Sequence, residues 1–97
     1  MPTFAFDTDK LINICKENDV ALLGVFGSMA RGEATDKSDI DLLVKFSKRK
    51  GLLSVVKLER EISEAMGRKV DLLTEAAISP YIRQNIIQDL VVLYGSG

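Results

Sequence analysis

The feature that most constrains the fold is an amphipathic segment that lies between two short apolar runs, each of which carries aspartate. Apolar side chains recur at helical spacing over residues 52–66, and Gly67 follows as a helix-ending residue. Residues 39–46 alternate with the period of a strand, and residues 70–73 form a second short strand. This pattern predicts a sheet with helices packed against it.

Elements on either side complete the predicted fold. They are a helix from Asp7 or Thr8 to about Asn18, a buried strand over Val20–Phe26, one or two helical turns over residues 28–32, a polar loop over residues 33–37, a helix over Pro80–Asp89 with Ile82, Ile86 and Leu90 on one side, and a strand over residues 91–94. This order predicts an α/β (α+β) fold, a small mixed β-sheet of about four strands with helices packed against it. We expect a single domain over residues 1–94 and a flexible tail over residues 95–97.

The composition excludes several kinds of protein. There is no histidine, which rules out histidine-based triads and zinc sites of the Cys/His type. The single cysteine, Cys15, cannot form an intramolecular disulfide and is expected to be a buried core thiol. A formal net charge of -1 argues against nucleic acid as the main partner. Without a visible signal peptide or an apolar run of about 18 residues, we predict a cytoplasmic protein with no membrane span.

Three aspartates are the candidate metal ligands. Asp39 and Asp41 lie two residues apart on a predicted strand, so their side chains share one face, roughly 7 Å apart at the backbone. Two carboxylates that close repel unless a cation joins them, and such oxygen ligands suit Mg²⁺ or Mn²⁺. Asp71 lies in a second apolar strand, and it would bring a third carboxylate to the same spot if the two strands were neighbours. The alternative is that these aspartates are charges on solvated strand edges.

The turn after the first strand is a candidate phosphate site. Gly27 permits close approach of the backbone to a ligand, and a helix that opened at Ser28 would offer free amides and a hydroxyl to phosphate. The alternative is an ordinary turn in which Ser28 caps the helix. Arg31 is a nearby cation that can contact phosphate or a partner, or lie solvated. Lys45 shares the predicted face of the aspartates, although a solvated lysine is the simpler interpretation.

These motifs together resemble the nucleotidyltransferase superfamily related to DNA polymerase β. Its pattern is Gly-Ser, ten residues and Asp-x-Asp, and here Gly27-Ser28 is followed by residues 29–38 and then by Asp39-Ile40-Asp41. The resemblance covers most of the chain, including Leu-Glu-Arg-Glu at residues 58–61 and Lys-Val-Asp-Leu-Leu at residues 69–73. Within the superfamily the chain is most similar to the minimal nucleotidyltransferase (MNT) proteins, the antitoxin partners of HEPN toxins.

The resemblance implies a function and a role for each matching residue. Gly27 and Ser28 would bind the triphosphate, Asp39 and Asp41 would bind two Mg²⁺ ions, and Asp71 would complete the second metal site and help to activate the acceptor. The reaction would be in-line attack on the α-phosphate of ATP with release of pyrophosphate. The acceptor would be a tyrosine hydroxyl of a HEPN toxin, which makes the chain the antitoxin of a toxin-antitoxin pair.

Two alternative functions stay open from the sequence. The chain can neutralise its toxin by contact alone, without catalysis, or it can be a small-molecule adenylyltransferase of the antibiotic-modifying sort. Larger members of the superfamily carry extra domains for the acceptor, and 97 residues leave no room for one. We therefore expect the acceptor to be delivered by another chain, which favours modification of a protein.

Overall fold

The computed structural model describes residues 8–33 and 39–95. Its elements in chain order are α1 (Thr8–Glu17), β1 (Val20–Phe26), β2 (Ile40–Phe46), α2 (Leu52–Met66), β3 (Val70–Thr74), a short 3-10 helix (Glu75–Ala77), α3 (Pro80–Asp89) and β4 (Val91–Gly95). The four strands form one mixed sheet with helices packed against it, which confirms the predicted fold class.

The sheet has the strand order β3-β2-β1-β4. The strand β1 pairs antiparallel with both β2 and β4, whereas β2 and β3 are parallel. Parallel neighbours need a crossover connection, and α2 supplies it. Gly67 ends α2 in the left-handed conformation, with φ 66°, and donates its amide to the Ser63 carbonyl, as expected of a C-cap.

The main core lies between one face of the sheet and the helices α1 and α2. Its most completely buried side chains are Leu11, Cys15, Leu23, Val25, Ile40, Leu42, Val44, Leu58, Ile62 and Val70. Cys15 is fully buried, which confirms a core thiol, and this burial raises the pKa of the thiol to about 11 and so disfavours the reactive thiolate at neutral pH. The helix α3 contacts β1 instead, and only Ile86 of its own side chains is buried.

The predicted helical turns over residues 28–32 are limited to a single hydrogen-bonded turn, and no regular helix forms there. The Arg31 amide donates to the Gly27 carbonyl at 3.1 Å, and the Glu33 amide donates to the Ser28 carbonyl at 2.9 Å. Gly27 and Gly32 both have φ 73°, outside the right-handed helical region, so a helix cannot propagate through either end. The observed order is therefore α-β-β-α-β-α-β, apart from the 3-10 helix, which was not predicted.

Some predicted features fall outside the described part of the chain. They include Asp7 and residues 96–97 of the predicted tail. They also include residues 34–38, which belong to the predicted loop and to the spacer between Gly-Ser and Asp-x-Asp. Gly95 ends β4 and pairs with Leu22, one residue beyond the predicted strand boundary. Across the described residues, the model contains no helix with the length and apolar character needed to cross a membrane.

Candidate active site

The acidic part of the site lies where β2 and β3 pair. The register of these parallel strands places Asp41 directly opposite Asp71. Backbones in register on neighbouring strands are about 4.8 Å apart, and their side chains point to the same face of the sheet. The strand that carries Asp71 thus lies beside the one that carries Asp41, which is the condition that sequence reasoning left open.

The two aspartates point away from the main core. Ile40 and Leu42 are each 1% exposed and face α1 and α2, so Asp41 between them projects from the opposite face. Asp41 is partly buried there, and Asp71 is exposed. The apolar alternation that builds β2 therefore presents these carboxylates on a face that a ligand can reach.

The electrostatics of this face oppose the negative charge of Asp41. Burial raises the pKa of the Asp41 carboxyl, and the negative charges of Asp71 and Asp39 raise it further, while the Arg31 guanidinium acts in the opposite direction. Neither Asp41 nor Asp71 has an ion-pair partner among the described residues. A divalent cation would relieve this repulsion, so the charge and the oxygen donors of these side chains fit Mg²⁺ or Mn²⁺.

Asp39 directly precedes β2 and is the third acidic side chain. Its Oδ2 lies 3.8 Å from the Lys69 Nζ, an exposed ion pair. In residues 8–33 and 39–95, no three acidic or cysteine side chains converge closely enough to form a ready-made metal site. The three aspartates therefore share one region of the sheet without meeting at a single point in the described part of the chain.

Gly27 brings the backbone of the turn against the Asp41 carboxylate. It follows Phe26, the residue that pairs with Asp41 across β1 and β2. Its φ of 73° is rarely adopted by other residues, and a Cβ at this position would lie 2.6 Å from the Asp41 Oδ2. Glycine is thus favoured here by the left-handed backbone of the turn, and its lack of a Cβ lets the Asp41 carboxylate lie against the backbone.

The turn that follows leaves backbone donors available to an anion. Within the described part of the chain, the amides of Ser28 and Met29 have no hydrogen-bond acceptor, and neither does the Ser28 hydroxyl. Successive free amides in a tight turn form a concave site that favours phosphate oxygens. Ser28 is partly buried and directly follows Gly27, which lies against the Asp41 carboxylate. The phosphate site therefore stays a prediction, and these backbone amides support it without a regular helix at this turn.

Arg31 is held at the rim of the site by two acidic residues. Its Nη1 donates to the Asp89 Oδ2 at 2.8 Å, and its Nε donates to the Glu33 Oε2 at 3.2 Å. The arginine side chain is 46% exposed, and its charge reaches Asp41. Lys45 is exposed on the face that carries Asp41 and Leu43, as the strand alternation predicted.

Sequence reasoning missed a shallow cavity beside the turn, which is largely open to solvent. A space of about 230 Å³ is lined by Phe26, Gly27, Arg31, Ile82, Asn85, Ile86 and Asp89. Ile82 and Ile86 were expected to pack as an apolar stripe, but Ile82 is 46% exposed. The only sequence signal for this cavity was a pair of polar residues, Asn85 and Asp89, which share a helical face with Ile82. Their spacing does not reveal what this face of α3 packs against.

The geometry defines the class of protein. Paired aspartates on an open sheet face, beside a turn with free amides, suit an enzyme that acts on a phosphate-bearing substrate with a divalent metal. The chain belongs to the family described as polymerase beta, nucleotidyltransferase, whose model matches residues 9–96. It is therefore a nucleotidyltransferase.

A relative from Methanocaldococcus jannaschii supports the same assignment. This protein is named "Putative protein adenylyltransferase MJ0435", and it is 40% identical over 82 residues, which cover 84% of this chain and 88% of the relative. The match extends over most of both chains, so the two proteins share the nucleotidyltransferase domain as a whole.

Two solved structures share the fold. One is the crystal structure of a toxin-antitoxin complex with AMP-PNP, in which the matching chain is 24% identical with a TM-score of 0.81, over 93% of this chain and 74% of that one. The other is a tri-AMPylated Shewanella oneidensis HEPN toxin in complex with an MNT antitoxin. The matching chain is 22% identical with a TM-score of 0.71, and the match covers 92% of this chain and 70% of that one. At these identities the likeness establishes the fold.

Proposed function

We propose that this chain transfers AMP from ATP to a hydroxyl group of a partner protein, namely a tyrosine of a HEPN toxin, and that it acts as the antitoxin of a toxin-antitoxin pair. The observation that carries the proposal is the placement of Asp41 opposite Asp71, with the backbone of Gly27 against the Asp41 carboxylate. The name of the archaeal relative and the two toxin-antitoxin structures support the acceptor class and the nucleotide.

Each residue of the site has a role in the proposed reaction. Asp39, Asp41 and Asp71 would hold Mg²⁺, with two ions sharing the site and Mn²⁺ as a substitute. When bound, the metal neutralises charge that develops on the phosphates and makes the acceptor hydroxyl more acidic. Gly27 and the free amides after it bind the triphosphate. The Ser28 hydroxyl adds a hydrogen bond to a phosphate oxygen.

The transfer step is an in-line displacement at the α-phosphorus. The acceptor oxygen forms a bond to the α-phosphorus while the bond between that phosphorus and its bridging oxygen breaks, so pyrophosphate leaves. Asp71 is exposed, and its carboxylate can accept the hydroxyl proton and return it to water. Arg31 can exchange its contacts with Glu33 and Asp89 for the negatively charged phosphates.

The open acidic face supports a macromolecular acceptor. Asp71 is exposed and the Asp39 side chain is 43% exposed, so a side chain that projects from another protein can reach both carboxylates. A tyrosine fits this requirement because its hydroxyl stands at the end of a long, rigid side chain.

The test is transfer to a purified HEPN toxin. With Mg²⁺ and ATP, the parent chain should add the mass of AMP to the toxin, and Asp39→Asn should abolish the addition. Glu64→Gln, which removes an exposed acidic residue of α2 outside the site, is the matched control and should retain transfer. Absence of any mass change with the parent chain, under conditions in which it binds Mg²⁺ and ATP, would refute protein adenylylation.

Exposed apolar side chains on α2 favour a second candidate, neutralisation by contact alone. Leu52 and Leu53 are 77% and 85% exposed at the start of α2, and such a patch commonly marks a protein-protein contact. Asp39→Asn separates the two mechanisms. If the variant still neutralises the toxin while transfer is lost, contact is sufficient; if neutralisation is lost with transfer, catalysis is required.

A further inference from the structure

The cavity between α3 and the turn after β1 has the composition of a site for a flat aromatic ring. Phe26, Ile82 and Ile86 supply apolar surface, and Asn85 and Asp89 supply polar atoms at its edge. Four of its residues, Ile82, Asn85, Ile86 and Asp89, recur at helical spacing, so one face of α3 forms a wall of the cavity. Apolar walls with a few polar groups are typical of small-molecule sites.

The cavity adjoins the phosphate site. Gly27 belongs to both, since it lines the cavity and its Cα faces the Asp41 carboxylate. Arg31, at the rim of the acidic face, lines the cavity as well. A nucleotide whose phosphates lie at the turn of Gly27 and Ser28 therefore has this cavity within reach of its base.

The polar edge of the cavity favours a base with an exocyclic amino group. Asn85 is exposed, and among the described residues its amide has no hydrogen-bond partner, so both its oxygen and its nitrogen are available to a ligand. Asparagine can bind adenine through two hydrogen bonds, accepting from the N6 amino group and donating to a ring nitrogen. Asp89 adds acceptor oxygens, which attract an amino group and repel the O6 carbonyl oxygen of guanine.

We propose that this cavity is a nucleobase subsite that takes the adenine of the transferred nucleotide, and that Asn85 is the residue that distinguishes adenine from guanine. The inference rests on the proposed function, since it assigns base selectivity to the same nucleotide site. Ile82 contributes by covering one face of the ring; at present 46% of its surface is open to water.

The test compares affinities for Mg-ATP, Mg-GTP and Mg-tripolyphosphate by calorimetric titration of the whole chain. The parent should bind ATP about tenfold more tightly than GTP. Asn85→Leu keeps the size of the side chain and removes the amide, so the ratio of the ATP and GTP affinities should fall towards one. Its affinity for tripolyphosphate, which has no base, should match that of the parent.

Two further variants sharpen the comparison. Gln88→Leu removes an exposed amide from the same helix outside the cavity, and it should leave all three affinities unchanged. Ile82→Ser should weaken ATP and GTP to a similar extent, without an effect on tripolyphosphate. Thermal unfolding of each variant shows whether its fold is retained.

Each contrary result has a distinct meaning. An unchanged ATP-to-GTP ratio in Asn85→Leu would overturn the subsite, and so would weaker tripolyphosphate binding, because the residue would then serve the phosphates or the fold. A parent that binds tripolyphosphate yet does not distinguish ATP from GTP would overturn the subsite and leave the proposed function standing. A parent that binds neither ATP nor tripolyphosphate would overturn both.

Discussion

Asp41 lies where burial and two neighbouring carboxylates all disfavour its negative charge. The free energy of folding includes this cost whenever Asp41 is ionised. Because the pKa of Asp41 is higher in the folded chain than its ordinary value of 3.8, the folded state holds this proton more tightly than the unfolded state does. The contribution of Asp41 to stability therefore falls as the pH rises from about its ordinary pKa through its folded pKa.

The first prediction concerns the pH dependence of Asp41→Asn. In the absence of metal, this variant should unfold at a higher temperature than the parent at pH 7, where the parent carries the full cost of the charge. The difference should shrink as the pH falls below the folded pKa of Asp41 and vanish in acid. Thermal unfolding by circular dichroism from pH 3 to 8 measures it, with Glu64→Gln as the control. A parent that is more stable than Asp41→Asn at pH 7 would contradict the electrostatic argument.

At the scale of elements, the turn after β1 combines two separate demands on glycine. Gly27 and Gly32 share φ 73°, but only Gly27 faces another group: a Cβ there would meet the Asp41 Oδ2, whereas a Cβ at Gly32 would meet nothing within 4 Å. An alanine would therefore strain the backbone at both positions, but it would contact Asp41 only at position 27.

The second prediction follows from that difference. Gly27→Ala and Gly32→Ala should each lose about 1–3 kcal/mol of stability from the left-handed backbone. Only Gly27→Ala should also lose Mg-ATP binding, because the added methyl group displaces the Asp41 carboxylate. Urea unfolding and calorimetric titration of both variants provide the comparison. Equal nucleotide affinities in the two variants would show that the approach of Gly27 to Asp41 is unimportant for binding.

The third prediction concerns the stability effects of substitutions on the two faces of α2. Leu58 is fully buried between α2 and the sheet, so Leu58→Ala should cost about 2–5 kcal/mol through lost contacts and a residual cavity. Leu53 lies on the same helix and is 85% exposed, so Leu53→Ala should change the free energy of unfolding by less than about 0.5 kcal/mol. Urea unfolding measures both, and similar losses would contradict the assignment of α2's buried face.

At the scale of the whole molecule, the site depends on the order and pairing of the strands. Asp41 lies in β2 and Asp39 directly before it, Asp71 lies in β3, and Gly27 directly follows β1. The three strands are adjacent in the sheet, so a ligand at the acidic face can bind only when all three are correctly paired. A ligand that binds only the folded chain therefore stabilises the entire domain.

The fourth prediction is the size of that stabilisation. Mg-ATP at a hundredfold excess over its Kd should add about 2.7 kcal/mol, which raises the unfolding temperature of a domain of this size by about 10 °C or more. ATP with EDTA should have a much smaller effect, and Asp39→Asn should lose most of the shift. Differential scanning calorimetry is the measurement. A parent that shows no shift with Mg²⁺ or Mn²⁺ and ATP would count against the site.

Local patterns in the sequence predict most of the elements, because strands and helices with one buried face have a fixed period. The bounds of α2 and α3 were predicted as observed, and the alternation of β2 placed Asp41 opposite its core residues. The position of Asp71 depends on which strands pair, and the cavity beside α3 depends on where that helix packs. Both are long-range contacts, which no local period encodes. The turn at residues 28–32 was predicted as helical because the left-handed φ of Gly32 cannot be read from the residue type alone.

The pairing of Asp41 with Asp71 also bears on how the chain reaches its fold. A slip of β3 by one residue would turn Asp71 into the apolar core and expose Val70 and Leu72, which are 1% and 5% exposed in the native register. A carboxylate buried there without a partner would make the slipped pairing far less stable. The aspartate assigned to chemistry therefore also enforces fidelity in folding, because it penalises the nearest incorrect alignment of the two parallel strands.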